Sequence, residues 1–188
     1  MATMKYYKAV PKSTLLLFLM VSFTSGTALA VNSSNVQITV NGTVAGSSCT
    51  VVGGSSQTVD LGVASPAILN SSNSAWVWKA FTIGLEHCPI GMTNATITFS
   101  GEPDPDNALY YKNTAVASEG TTVADHVAIQ LAPQVGNEQL STGSQMVTTV
   151  NRTSHQAIFN VQARMITPTG RATAGAVAGH IDYTVEYK

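Results

Sequence analysis

The feature that most constrains this chain is a period of two in its apolar residues. Val59, Leu61 and Val63, for example, alternate with polar residues and glycine. Because residues two apart lie on the same face of a β-strand, each such run predicts a half-buried strand. The other apolar positions with this spacing are Phe81, Ile83, Leu85, Ile97, Phe99, Val127, Ile129, Leu131, Ala157, Phe159, Val161, Ala163 and Met165. Turn-rich segments such as 103–107 and 167–170 separate the runs, so we predict an all-β sandwich.

Two further alternating segments lie near the two ends of the sequence. The apolar positions of the first, ahead of the first cysteine, are Val36, Ile38, Val40, Gly42 and Val44. Those of the second are Val177, Gly179, Ile181, Tyr183, Val185 and Tyr187. An exposed apolar edge strand pairs readily with another chain, so the last predicted strand needs a neighbour on its free edge. The alternative for the first segment is a disordered tail, which rarely keeps strict alternation over nine residues.

The first thirty residues have the features of a secretory signal peptide. Lys5, Lys8 and Lys12 precede the apolar run 15–21, and the segment closes on the small-x-small sequence 28–30. This order of basic, apolar and small residues predicts cleavage after Ala30. A retained membrane anchor is the weaker alternative, because the run is shorter than the roughly 20 residues that span a bilayer.

The composition excludes some classes of partner. The formal net charge is −1, only 10% of the residues are charged, and no run of Lys or Arg is present. A protein that binds nucleic acid usually carries a basic patch, so we expect no nucleic-acid partner. The hydrophobic fraction of 44% argues against intrinsic disorder. The surface is therefore expected to be neutral and polar, as suits an extracellular β-protein.

Two cysteines, Cys49 and Cys88, are the whole complement of the chain. In an exported protein such a pair is expected to form a disulfide. The enclosed loop is about 40 residues long, for which the chain-entropy model gives about 4 kcal/mol of stabilisation. The alternatives are a zinc site or a reactive thiol. His87 lies next to Cys88, but no second pair with metal-ligand spacing exists.

No pattern in the sequence predicts catalysis or a bound metal. Asp125 and His126 could belong to a catalytic triad, but no serine has a nucleophile-elbow setting, and His126 is expected on the outer face of a strand. Glu102, Asp104 and Asp106 lack the later acidic ligand of a calcium loop and are interrupted by prolines. We therefore expect no catalytic residue, no metal, no cofactor and no small-molecule substrate.

Trp76 and Trp78 support a hypothesis of a different class. Two tryptophans in the same phase of one strand could form a platform on which sugar rings stack, which would make the chain a secreted carbohydrate-binding adhesin module. Packing or surface exposure is the commoner role for such a pair, so this hypothesis stays secondary.

Several of these features occur together in a known family. The alternating extension before Cys49, the Cys88-Pro89 pair about forty residues later, Gly175 fourteen places from the end and the penultimate Tyr187 resemble a chaperone–usher pilus subunit. The resemblance covers the sequence from Val31 to Lys188. The segments 36–42, 88–91, 99–101 and 110–113 look most like the minor adaptor subunit of the type 1 fimbrial tip, and a major rod subunit is the alternative within the family.

The resemblance implies an incomplete fold. Pilus subunits are immunoglobulin-like sandwiches that lack their last strand, and a strand from another chain completes them by donor-strand complementation, an instance of β-augmentation. It implies a donor strand whose inward positions are Val36, Ile38, Val40, Gly42 and Val44. It also implies a groove and chaperone-contact strand formed by Gly175, Val177, Gly179, Ile181, Tyr183, Val185 and Tyr187. Gly42 then marks a shallow pocket, because glycine in a strand often allows a close approach.

We expect the chain to have three segments and one structural function. Residues 1–30 are the signal peptide, 31–46 the donor-strand extension and 47–188 the pilin sandwich. The implied function is a structural subunit that polymerises by donor-strand exchange and supports cell adhesion. The implied partners are a periplasmic chaperone, an outer-membrane usher and neighbouring subunits. The implied location is a fimbria on the bacterial surface, reached by export through the periplasm.

Overall fold

A computed structural model describes residues 48–136 and 138–188. The predicted signal peptide and the predicted donor-strand extension, including its five inward positions, lie outside the described residues. The described part consists of eight β-strands joined by turns and loops. They are β1 (Thr50–Val51), β2 (Lys79–Glu86), β3 (Asn94–Gly101), β4 (Tyr111–Lys112), β5 (Ala128–Pro133), β6 (Gln145–Thr149), β7 (Ala157–Ile166) and β8 (Ile181–Tyr187).

Within residues 48–136 and 138–188, there is no helix with the length and apolar character needed to cross a membrane.

The strands form two antiparallel sheets, in agreement with the predicted sandwich. The larger sheet has the order β1-β2-β7-β5-β4, and the smaller one has the order β6-β3-β8. In the larger sheet β7 is central, with Phe81 of β2 opposite Val161 on one side and Leu131 of β5 opposite Ala163 on the other. In the smaller sheet β8 pairs with β3 alone, so its second edge has no strand partner among the described residues.

Strand β7 shows why the alternation predicted the fold. Its five inward positions are all buried, and they are Ala157, Phe159, Val161, Ala163 and Met165. The one apolar residue out of phase, Ile158, is 53% exposed on the opposite face. The first four of these residues pack with Ile97 and Phe99 of the other sheet in one hydrophobic core, and Met165 packs in a second cluster with Leu69 and Val127. Burial of such side chains is the main source of folding free energy.

The predicted disulfide is present between Cys49 and Cys88. Cys49 immediately precedes β1, and Cys88 follows the end of β2, so the bond crosses the paired ends of these two strands. Both cysteines are buried and belong to the core between the sheets. A metal site or a reactive thiol at this pair is therefore excluded.

Two of the predicted strands differ from the structure. Residues 59–63 form no strand, and Val63 is 89% exposed, because no neighbouring strand pairs with this segment. The alternation from Val177 becomes a regular strand only at Ile181. Val177 and Gly179 precede it because the chain there bonds to a loop instead, with Thr114 N donating to Ala178 O at 2.7 Å.

The candidate functional site is an open groove

A groove of about 1580 Å³ runs along the free side of β8. Its floor is formed by apolar side chains of both sheets, among them Phe81, Ile83, Phe99, Ile129 and Leu131. One wall is the segment 172–183 with Val185, and the other is the segment 55–66. A large cleft with mostly apolar walls is typical of a site that binds another molecule.

The wall formed by β8 is only half-buried. The inward side chains of Ile181, Tyr183 and Val185 pack on the core but remain partly exposed. By contrast, Phe99 and Ile97 of β3, which lie opposite Tyr183 and Val185, are buried. The difference arises because β3 lies between two strands and β8 lies at the edge. Ile181, Tyr183 and Val185 therefore present apolar surface to the groove.

The partial burial of β8 shifts the pKa of two of its tyrosines. Burial against the core raises the pKa of Tyr183 above its usual range. Burial likewise raises the pKa of Tyr187, and the neighbouring Tyr183 raises it further. Tyr183 lines the groove, whereas Tyr187 packs on the core opposite Ala95 of β3 and is not among the residues lining the groove.

The opposite wall has an unpaired backbone. Among the described residues, 56–64 take part in no backbone-to-backbone hydrogen bond. Within this stretch Gly62 N donates to the Asp60 carboxylate at 2.8 Å, a local bond that does not tie the wall to the sandwich. Val59 and Leu61 face the groove region with partial burial. Both walls thus offer backbone groups that a strand lying between them could use.

Asn113 fixes the segment of the groove wall that leads into β8, and the sequence assigned no role to this residue. Its side-chain amide donates to Ala124 O at 3.0 Å and to Ala176 O at 3.1 Å. Its side-chain carbonyl oxygen accepts hydrogen bonds from Ala115 N and Ala178 N. These four bonds fix the chain that leads into β8. Only its position in the tyrosine-rich segment 110–113 could have drawn attention to it.

Two glycines of the predicted groove strand allow the chain to approach other parts of the sandwich. A methyl group on Gly175 would lie 2.8 Å from Thr122 O and would overlap the backbone of Ala124. A methyl group on Gly179 would overlap the side chain of Ile129. The structure therefore places Gly175, Val177, Gly179, Ile181, Tyr183 and Val185 of the predicted set along the groove.

The structure corrects the predicted arrangement of the two tryptophans. Trp76 lines the groove and packs near Leu69 and Met165, whereas Trp78 lines a separate cavity with Arg164. Strand β2 begins only at Lys79, and the pairing with β7 shifts by one residue between Ala75, which lies opposite Ile166, and Lys79, which lies opposite Ala163. The two indole rings therefore do not share a face, and they form no common stacking platform.

The polar residues considered for chemistry have local structural contacts. His126 does not lie on the outer face of a strand as predicted; it precedes β5 with a φ of 58°. Its ring nitrogen lies 3.3 Å from Thr169 Oγ1. Asp104 accepts hydrogen bonds from the backbone of residues 106 and 107, and Glu102 pairs with Lys112. Within residues 48–136 and 138–188, no three His, Cys, Asp or Glu side chains come close enough to hold a metal ion.

The two sheets, the buried disulfide and the unpaired edge of β8 define the class: an immunoglobulin-like β-sandwich that is open along its last strand. The family model described as "Fimbrial protein" matches residues 38–188. The chain belongs to the fimbrial protein family, and it is a structural subunit of a fimbria.

Relatives in curated collections of sequences agree with this assignment. The chain is 35% identical over 157 residues to the protein FimG of Escherichia coli strain K12, covering 84% of this chain and 87% of that protein. It is 30% identical over 165 residues to the uncharacterised fimbrial-like protein YdeR of the same strain, covering 88% and 92%. It is also 38% identical over 97 residues to the fimbrial-like protein FimF of Salmonella typhimurium strain LT2, covering 51% and 52%.

Solved structures show the same fold. The P pilus rod subunit PapA matches with a TM-score of 0.59 at 15% identity, covering 74% of this chain and 99% of that chain. A subunit in the structure of a chaperone–usher pilus matches with a TM-score of 0.60 at 18% identity, covering 86% and 100%. At these identities the likeness concerns the fold alone.

Proposed function

We propose that this subunit is completed by a strand from another chain and completes a further subunit with its own residues 31–46. The observation that carries the proposal is the groove between β8 and residues 55–66, whose two walls both have unpaired backbone. A strand added to a free sheet edge gains affinity from backbone hydrogen bonds and specificity from alternate side chains in pockets. The apolar, half-buried face of β8 supplies such pockets.

The donor side of the proposal rests on the sequence. Val36, Ile38, Val40 and Val44 share one face of the predicted extension, and Gly42 has the same phase. Burying four such side chains contributes roughly 6 to 12 kcal/mol before any backbone pairing, at about 1.5 to 3 kcal/mol each. Association alone costs about 4 to 15 kcal/mol, and ordering the extension costs more, so the backbone hydrogen bonds to the edge of the acceptor strand are needed as well to hold two subunits together.

Deletion of residues 31–44 tests the donor side directly. Without them, the subunit is expected to fold and to accept a strand in its groove but to be unable to enter the groove of the next subunit. The fibre would then end at each subunit that lacks residues 31–44. Electron microscopy of purified fimbriae would show this as shorter fibres or as fibres without the subunits that normally come next. Fibres of normal length and composition would overturn the donor-strand role.

We propose further that the subunit is a minor adaptor near the fibre tip rather than a rod subunit. The similarity to FimG over 84% of the chain supports this choice within the family. Immunogold labelling of an epitope-tagged chain distinguishes the two positions. Labels confined to one end of each fibre support the adaptor, and labels along the whole length support the rod subunit.

The same proposal includes the route to the surface. The basic and apolar first thirty residues would direct export, and cleavage after Ala30 would free the extension. In the periplasm, a chaperone would fill the groove until an outer-membrane usher exchanges its strand for that of a neighbouring subunit. Mass spectrometry of the chain isolated from fimbriae tests the cleavage site, because the proposal requires Val31 as the first residue.

A further inference from the structure

A second cavity, unrelated to the groove, lies on the outer face of the larger sheet. Its volume is about 280 Å³, and its lining side chains are mostly polar. Neighbouring strands contribute Gln130 of β5, Gln162 and Arg164 of β7, and the ring of Trp78, which precedes β2. Gln130 and Arg164 are directly opposite each other in the pairing of β5 with β7. The cavity therefore lies on the paired central strands of the larger sheet.

Arg164 is held in one orientation at this cavity. Its guanidinium carbon lies 4.1 Å from the centre of the Trp78 ring, a cation–π contact. Its Nε donates a hydrogen bond of 2.6 Å to Gln130 Oε1, and Gln130 is only 5% exposed. The side chain is thus fixed from its face by the indole and from its Nε edge by the buried amide.

Among the described residues, no acidic side chain pairs with the charge of Arg164. No carboxylate of residues 48–136 or 138–188 forms an ion pair with it; the ion pairs there involve His87, Lys112 and His180. Burial lowers the pKa of the Arg164 guanidinium, which reflects the cost of removing a cation from water. Apart from the Nε bond to Gln130, the guanidinium makes no other hydrogen bond to a described residue.

The other polar groups of the cavity add acceptors and donors around this cation. Gln162 Nε2 donates a hydrogen bond of 2.9 Å to Pro133 O, so this amide group links β7 to β5 within the larger sheet. The side-chain oxygen of Gln139 is buried without a hydrogen-bond partner among the described residues. This oxygen is an acceptor and requires a donor such as a water, so it does not contact an anion directly, and an anion in the cavity would bind through the guanidinium. Glu138 lies at the rim and is exposed.

We propose that this cavity is a binding site for a carboxylate group. The planar fork of a guanidinium matches a carboxylate with two parallel hydrogen bonds, and a pre-oriented fork loses little entropy when it binds. The stacking on Trp78 and the bond to Gln130 leave the terminal guanidinium nitrogens to face the ligand. The carboxylate comes from a sugar acid or from an acidic amino-acid side chain, both of which fit a cavity of this size.

The two tryptophans of the chain make the test specific. Selective ¹⁵N labelling of tryptophan gives two indole N–H signals, one from Trp78 at the cavity and one from Trp76 in the groove. The full-length chain, in the complex in which it is purified, is titrated with sodium acetate. Sodium chloride at equal ionic strength and the neutral isostere acetamide serve as controls. We expect a saturable shift of the Trp78 signal with acetate alone and no shift of the Trp76 signal.

Three variants separate binding from general effects. Arg164→Gln removes the fork, and acetate affinity is expected to fall at least about tenfold. Gln130→Glu supplies an internal carboxylate at the same place and is expected to abolish the response while the chain stays folded, because the new charge pairs with Arg164. Arg152→Gln, an exposed arginine elsewhere, is the matched control and is expected to leave the titration unchanged.

Each possible result of the titration either supports the proposed carboxylate site or overturns it. A saturable Trp78 shift that Arg164→Gln and Gln130→Glu both remove establishes the carboxylate site. Comparison of D-glucuronate with N-acetylglutamate amide then identifies the source, since the natural ligand class binds more tightly than acetate. Absence of any acetate-dependent shift, or a shift that persists in Gln130→Glu, would overturn the proposal. Neither result bears on the groove, which the deletion of residues 31–44 tests separately.

Discussion

Gly175 packs directly against the backbone of Ala124, so closely that a methyl group in place of its hydrogen would overlap the Ala124 nitrogen. Next to this contact, Ala124 N donates to Ala176 O at 3.1 Å and Ala176 N donates to Thr122 O at 2.7 Å. The contact joins the loop before β5 to the chain that leads into β8. The position of β8, and with it the wall of the groove, depends on this glycine.

The first prediction concerns Gly175. Gly175→Ala is expected to lower the free energy of unfolding by about 3 kcal/mol or more, because a methyl group overlapping fixed backbone must displace it. Gly84→Ala is the matched control: its methyl group would meet the half-exposed side chain of Val52 at 3.0 Å, which can move. Urea unfolding of the purified chain measures both. Equal losses for the two variants would contradict the role assigned to Gly175.

The second prediction concerns the disulfide. Replacing both Cys49 and Cys88 with alanine is expected to lower the free energy of unfolding by about 4 kcal/mol, because the bond closes a loop of about 40 residues. Typical domains have only about 5 to 15 kcal/mol in total, so the effect is large. Urea titrations with and without reductant measure it. If reductant destabilised the double variant as much as the natural chain, the loss would have another source.

The third prediction concerns Tyr111, which is only 1% exposed and whose hydroxyl has no hydrogen-bond partner among the described residues. Burial raises the pKa of its phenol to about 12, and the nearby Thr142 hydroxyl, which donates to Gly101 O at 2.6 Å, opposes this rise to a smaller extent. Removing an unsatisfied buried hydroxyl is nearly neutral or stabilising. Tyr111→Phe is therefore expected to keep or increase the stability measured by urea unfolding at neutral pH.

The pH dependence of the same side chain has a definite sign. The unfolded chain loses the phenol proton near pH 10, and the folded chain keeps it until about pH 12. Between these values the unfolded state binds fewer protons, so stability falls as pH rises, by up to about 1.4 kcal/mol per pH unit. Tyr111→Phe is expected to flatten this alkaline slope. An identical slope in the variant and the natural chain would contradict the raised pKa.

Much of the fold follows from the sequence because two-residue alternation is a direct consequence of strand geometry. Strand β7 shows this, since its inward residues and the exposed Ile158 both lie where the pattern predicts. Residues 59–63 carry the same pattern without forming a strand, because pairing depends on a neighbour that the described chain does not supply. Alternation reveals which residues can form a strand and not whether a partner is present.

The details of the candidate sites depend on contacts between residues far apart in the sequence. The side chain of Asn113 forms hydrogen bonds with the backbone of Ala124, Ala176 and Ala178, and no local sequence pattern predicts these bonds. The phase of Trp76 and Trp78 was predicted wrongly because both residues precede β2 and the pairing register with β7 shifts by one residue between Ala75 and Lys79. The stacking of Arg164 on Trp78 brings together residues that are distant in sequence but adjacent because the chain entering β2 lies beside β7.

The fourth prediction concerns Gly42 on the proposed donor strand. Gly42→Val is expected to slow the joining of this subunit to the next one, because a branched side chain does not fit a shallow pocket, while the fold of the subunit itself is unchanged. Thr43→Val, on the opposite face of the same segment, is the matched control and is expected to join at the normal rate. The rate at which fimbriae incorporate each labelled variant measures the effect. Equal rates for both variants and the natural chain would contradict the shallow pocket.

The central claim, that a strand from another chain fills the groove beside β8, is tested most directly by amide hydrogen exchange. Exchange is compared between the isolated chain and the same chain within assembled fimbriae. In the fibre, the amides on the free edge of β8 and those of residues 57–63 are expected to exchange at least about a hundredfold more slowly, since new backbone hydrogen bonds protect them. The outer edge of β6 is the internal reference and is expected to stay unchanged. Equally fast exchange of the β8 edge in both forms would contradict the account.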